Sequence, residues 1–71
     1  MTAQEWLGAF AGEIGVPAPT NEQMDEILRL ASVAAHASER IAAPIACYMV
    51  GLSGRSLSEA RAAAEKLAED A

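Results

Sequence analysis

The stretch that most constrains the fold of this chain runs from Ile41 to Gly54 and contains no charged side chain. Pro44 lies near its start, and a proline is tolerated in the first turn of a helix but breaks a helix interior. The run predicts a helix that begins near residue 44 and is apolar on every face. Because such a helix is normally buried on all sides, we expect it to be the centre of the fold.

Three other segments have the apolar periodicity of amphipathic helices. Each begins with a capping-box pattern, in which a Thr or Ser precedes a Glu or Gln by three residues: Thr2 with Glu5, Thr20 with Gln23, and Ser56 with Glu59. The sequence therefore predicts an all-α fold, a compact bundle of four short helices over about residues 2–15, 20–40, 44–53 and 56–70. The third helix would be central and most buried, and residues 1–71 would form a single helical domain.

Composition limits the core that such a domain can build. The hydrophobic fraction is 52%, but alanine supplies much of it and contributes little burial per residue. We expect the aromatic residues Trp6, Phe10 and Tyr48 to lie in the core. The third helix has a bulky apolar face and a flatter one. The bulky face consists of Ile45, Tyr48, Met49 and Leu52, and the flatter face of Ala43, Ala46, Cys47 and Val50.

Charge and length exclude several kinds of partner. The net charge is −5, which argues against nucleic acid, because its binders need a basic patch. The uncharged run is shorter than the ~20 residues that cross a bilayer, and no signal-peptide pattern is present. We therefore expect a soluble cytoplasmic protein that binds neither nucleic acid nor membranes.

No arrangement of residues indicates catalysis or a cofactor. The chain has one histidine and one cysteine, and no motif links Cys47 to a base, so Cys47 is interpreted as a small buried residue. Neither paired-ligand spacing for a metal nor a glycine-rich phosphate loop occurs. The sequence predicts no catalytic, cofactor-binding or metal-binding residues, and a protein that is not an enzyme.

The polar residues before the uncharged run form the one candidate functional site. His36 and Arg40 are one helical turn apart at the predicted end of the second helix, with Glu39 between them and Pro44 one turn further on. They could form a corner that docks a partner, since arginine binds carboxylates through two hydrogen bonds. They could instead cap the helix by binding its last carbonyl groups, which is the commoner role at helix ends.

A resemblance to a known family gives a more specific hypothesis. The pattern His36-x-x-x-Arg40-x-x-Ala43-Pro44, followed by an apolar helix with Gly51 and preceded by Trp6-Leu7, resembles a small bacterial helical domain family of unknown function. That family occurs alone or as a C-terminal extension of molybdenum cofactor guanylyltransferases. After the proline, this chain has Ile45-Ala46-Cys47 where the family pattern has leucine and threonines. The resemblance implies an accessory role in molybdenum cofactor biosynthesis and assigns no catalytic residue.

Three hypotheses follow. The first is a non-catalytic helical interaction module, linked by the resemblance to biosynthesis of the guanine dinucleotide form of the molybdenum cofactor. Its docking corner would be His36, Glu39, Arg40 and Pro44, and its partner a molybdenum cofactor enzyme. The second is a structural homodimer in which the flatter face of the third helix pairs with its copy. The third is a small-ligand binder that uses His36 and Arg40.

Overall fold

The computed structural model describes residues 1–70, which fold into four α-helices with no strand among them. The helices are α1 (Ala3–Ile14), α2 (Asn21–Ala37), α3 (Ala42–Ser53) and α4 (Leu57–Asp70). The predicted all-α fold of four short helices is confirmed. Within this described part, none of the helices combines the length and the apolar composition that a bilayer span requires.

Capping boxes begin three of the four helices, as the sequence predicts. At α1, the Glu5 amide donates to the Thr2 hydroxyl at 3.1 Å, and the Thr2 amide donates to the Glu5 carboxylate at 2.9 Å. These bonds satisfy amide groups that have no partner within the helix. The same reciprocal pair begins α2 and α4, through Thr20 with Gln23 and Ser56 with Glu59.

The turn between α2 and α3 is tighter than predicted. The hydroxyl and amide of Ser38 both donate to the Ala34 carbonyl, at 2.9 and 3.2 Å, and end α2 at Ala37 rather than at residue 40. Backbone bonds from Ala42 and Ala43 to the carbonyls of residues 39 and 40 then start α3 at Ala42 rather than at residue 44. Pro44 fits inside this first turn because its missing N–H would have no partner within the helix.

The central helix is α2, which packs against both α3 and α4. Only Leu30 of α2 and Ala11 of α1 are deeply buried among the described residues. The prediction that the third helix is central and most buried is wrong, because no residue of α3 is fully buried. Its small residues allow α3 to approach α2 closely. Its bulky residues point the other way, and four short helices leave no element to cover them.

The first helix is attached more loosely than the other three. A hydrogen bond of 2.9 Å joins Gln4 to Asn21, but α1 makes fewer contacts with the rest of the chain than α3 or α4 makes with α2. Trp6 and Phe10 stack on each other with ring centroids 5.0 Å apart, and both remain exposed. Tyr48 is exposed as well. The prediction that these aromatic residues form the core is therefore wrong, since they lie on the two helix faces that nothing covers.

An ion pair joins α2 to α4. The Arg61 Nε atom donates to the Glu26 carboxylate at 2.7 Å, and a second guanidinium nitrogen lies 3.3 Å from Glu65 on the same helix. The side chains of both partners are only 28% and 29% exposed, so the pair is shielded from solvent more than an ordinary surface pair. The pair adds a polar link to the packing of α4 against α2.

The cap at the start of α1 makes a testable prediction about pH. Two hydrogen bonds lower the pKa of Glu5 below its ordinary value of 4.5. The bond from the Thr2 amide is the larger cause, and the bond from the Thr2 hydroxyl is the smaller one. Because the pKa is lowered in the fold, the cap stabilises α1 fully above pH 4.5. This stabilisation is lost as the pH falls through the lowered pKa. The Thr2 amide proton shift, followed by NMR, should report this transition.

The Glu5→Gln variant is the matched control for this titration. Gln23 already accepts the equivalent bond at α2 at 2.8 Å, so a neutral side chain preserves the cap and removes the titration. A Thr2 amide that titrates at or above pH 4.5 in the unaltered chain would contradict the prediction.

Candidate protein-docking surface

The chain has more surface than a globular protein of its mass. Its accessible surface is 5510 Å², whereas a folded monomer of 7.4 kDa is expected to expose about 4,200 Å². Its radius of gyration is 12.8 Å, against about 11 Å for a compact domain of this length, and its extents are 38 × 24 × 18 Å. The fold is therefore elongated and leaves surface uncovered that an average domain would bury.

The largest side chains of α3 lie on its uncovered side, here called the α3 outer face. All of them are between 58% and 73% exposed, and the whole helix is uncharged. The spacing from residue 41 to 45, 48 and 52 alternates four and three residues, which is the spacing of a helix-pairing seam. The α3 outer face consists of Ile41, which directly precedes α3, and of Ile45, Tyr48, Met49 and Leu52.

The flatter face of α3 lies towards the rest of the fold. Ala42, Ala43, Ala46, Cys47 and Val50 are all half-buried. Ala42 and Ala46 line an apolar groove of about 380 Å³ together with small residues of α2 and α4. The flatter face is thus used within the chain. The version of the dimer hypothesis that pairs this face with its copy stays a prediction, although α2 already covers part of the face.

Cys47 lies on that half-buried flatter face. Burial raises the pKa of its thiol above the ordinary value of 9.0, which disfavours the thiolate that nucleophilic chemistry needs. His36 lies elsewhere, on the exposed surface of α2, where its Nδ1 atom is 3.1 Å from the Ser32 hydroxyl. The structure therefore places the only thiol and the only imidazole of the sequence on different surfaces.

The predicted docking corner surrounds the turn between α2 and α3. His36, Glu39, Arg40 and Pro44 are all exposed. Within residues 1–70, the side chains of Glu39 and Arg40 make no hydrogen bond or ion pair, and Ser38 supplies the cap of α2. Hydrogen-bonded capping by Arg40 is therefore wrong, whereas His36 lies in the last turn of α2, near the negative end of the helix, and its capping role stays a prediction. Their docking role stays a prediction.

An open groove of about 450 Å³ runs between α2 and α4 beside this corner. His36 lines it with Ser32, Glu65 and Glu69, but Arg40 does not. Two of these side chains are carboxylates, so the groove is not suited to an anion. The small-ligand hypothesis requires that His36 and Arg40 line one cavity. They do not.

The caps at this corner make a prediction about stability. Ser38→Ala should lower the free energy of unfolding by about 0.5–1 kcal/mol, because it removes the hydroxyl bond to the Ala34 carbonyl. Arg40→Ala should change it by less than about 0.5 kcal/mol, as expected of a surface residue without a partner. Urea unfolding followed by circular dichroism measures both. A larger loss for Arg40→Ala than for Ser38→Ala would restore the capping interpretation.

Comparison with known proteins identifies the family but adds no function. No curated protein and no solved structure matches the chain. A family model described as a domain of unknown function matches residues 1–71. The resemblance predicted a family of unknown function, and that part is confirmed, whereas the description of the matched family names no molybdenum cofactor enzyme. Because the match spans the chain from its first residue to its last, the protein belongs to the family DUF6457, a domain of unknown function.

Proposed function

We propose that this chain is a non-catalytic protein-interaction module that docks another protein chain on the α3 outer face. The observation that carries the proposal is the exposure of all five large apolar side chains of this face, the least exposed at 58%. Soluble monomers rarely expose contiguous apolar patches without a binding role. Covering such a surface gains about 25 cal/mol per Å² of apolar area.

The composition of the face is that of an interface centre. Tyr48 and Met49 lie in the middle of the helix, and both residue types are enriched at protein interfaces. The tyrosine ring provides a large apolar contact, while its hydroxyl can bind a partner or water at the edge. No charged side chain occurs on α3, so a partner can cover the face without burying an unpaired charge.

The arrangement of reactive groups supports a non-catalytic role. Cys47 lies on the half-buried flatter face of α3, and burial raises the pKa of its thiol. His36 faces the open groove between α2 and α4 with two carboxylates. A nucleophile and a base must lie within hydrogen-bonding reach to act together. A binding role therefore needs fewer assumptions about this chain than a catalytic role.

A pair of matched leucine variants tests the docking face. Leu52 on α3 and Leu28 on α2 are 73% and 64% exposed, so each can become lysine without disturbing the fold. Tagged chains should be used to capture partners from extracts of the native cells, with quantification by mass spectrometry. Leu52→Lys should reduce capture of the principal partner at least about tenfold, whereas Leu28→Lys should not. Equal capture by both variants would contradict the proposal.

The family resemblance supports a narrower proposal for the partner. We propose a molybdenum cofactor guanylyltransferase, with the chain acting as its accessory module at the docking corner of His36, Glu39, Arg40 and Pro44. What supports this is the His36-to-Pro44 pattern, together with the exposure of all four side chains. The Arg40 guanidinium makes no ion pair within the described chain, so it is available to a carboxylate on the partner.

Isothermal titration of the purified chain against a guanylyltransferase from the same cells tests this partner. Arg40→Ala should weaken binding about tenfold, which corresponds to about 1.4 kcal/mol. Arg29→Ala is the control, because Arg29 is also an exposed arginine but lies on α2, away from the docking corner in sequence. The absence of binding, or equal affinity of the two variants, would contradict the proposed partner without affecting the docking face.

A further inference from the structure

We infer that the chain covering the α3 outer face is a second copy of this same chain, paired α3 to α3 in antiparallel orientation about a two-fold axis. The inference rests on the proposed function and names the partner of the same face. Surface area, the symmetry of the residue pattern and the helix dipoles each support it.

The uncovered surface has the size that a dimer removes. The chain exposes about 1,300 Å² more than a compact monomer of its mass. A standard protein interface covers about 800 Å² on each partner, and permanent homodimers cover more. This excess belongs to the whole chain, including the exposed Trp6 and Phe10 of α1, and one symmetric contact through the α3 outer face would cover a large part of it.

Four of the five residues of the outer face form a pattern that is symmetric along the helix, and Ile41 lies outside it. Ile45, Tyr48, Met49 and Leu52 occur at spacings of three, one and three residues, which are the same in both directions. With the two-fold axis between residues 48 and 49, Ile45 meets the partner's Leu52, and Tyr48 meets the partner's Met49. A two-fold contact needs such a self-complementary surface.

Helix dipoles favour the antiparallel orientation. Parallel pairing would align the two α3 dipoles and set the exposed Arg55 beside the partner's Arg55. Antiparallel pairing opposes the dipoles and places the two copies of Arg55 at opposite ends of the paired helices. Glu39 and Arg40 precede α3 with opposite charges, so that end of the helix adds no preference.

The other exposed apolar surface is less suited to self-pairing. Trp6 and Phe10 of α1 stack on each other, but Glu13 lies one turn after Phe10 on the same side of the helix. Pairing α1 with its copy would therefore bury carboxylates in chains that already carry a net charge of −5. The α3 outer face buries none.

Sedimentation velocity from micromolar to millimolar concentration tests the second copy. The unaltered chain and Leu28→Lys should approach the mass of two chains as concentration rises. Leu52→Lys should weaken dimerisation at least about 100-fold, because each substitution enters a two-fold interface twice. A single-chain mass at every concentration would overturn the inference. The docking face would then be tested by the capture experiment alone. Dimers that Leu52→Lys does not weaken would overturn both.

Disulfide cross-linking tests the orientation. Ile45→Cys and Leu52→Cys are made separately in a Cys47→Ser background and oxidised alone or mixed. Antiparallel pairing predicts a cross-link between the two variants in the mixture. It predicts none for Ile45→Cys alone, because its two copies would lie about 10 Å apart along the axis, beyond the reach of a disulfide. Efficient cross-linking of Ile45→Cys alone would show parallel pairing and overturn the geometry.

Discussion

The contact between α2 and α3 determines which surface the chain leaves uncovered. It is made through small residues of α3, such as Ala42 and Ala46, which face Val33 and Ala34 of α2 across a narrow apolar groove. Small side chains allow two helix backbones to approach closely, but they bury little apolar area. Since the large side chains are on the opposite side of α3, the same contact that builds the fold turns them towards solvent.

A shallow core is the consequence. Only Leu30 and Ala11 are deeply buried among the described residues, and a domain of this length without disulfides or a metal has little stability to spare. The Glu26–Arg61 pair and the three capping boxes contribute, but their contributions are small beside that of a full core. Covering the outer face with a second chain would stabilise the fold by mass action. Partner binding and folding stability would then be coupled.

Features that depend on neighbouring residues were predictable from the sequence. Capping boxes act over three residues, so the starts of α1, α2 and α4 follow directly from Thr2, Thr20 and Ser56. The end of α2 was missed because the Ser38 hydroxyl competes for a backbone carbonyl that a longer helix would use. The exposure of the docking corner was not predictable, because a cap and a docking group require the same residue types.

Features that depend on packing were not predictable in the same way. The uncharged run indicates that α3 is covered on all sides, but not whether its own chain or another one covers it. Its two apolar faces are equally compatible with contact with α2, and the smaller one is used. Likewise, the sequence alone indicates that Arg61 faces solvent on α4. In the fold, its Nε atom lies 2.7 Å from the Glu26 carboxylate of α2.

Small-angle X-ray scattering over a dilution series tests the central claim most directly, because it measures size and mass together. If the α3 outer face is covered by a second copy, the most dilute samples should give a radius of gyration near 12.8 Å and the mass of one chain. Concentrated samples should then give the mass of two chains and a larger radius. One-chain mass and an unchanged radius at every concentration would contradict the account.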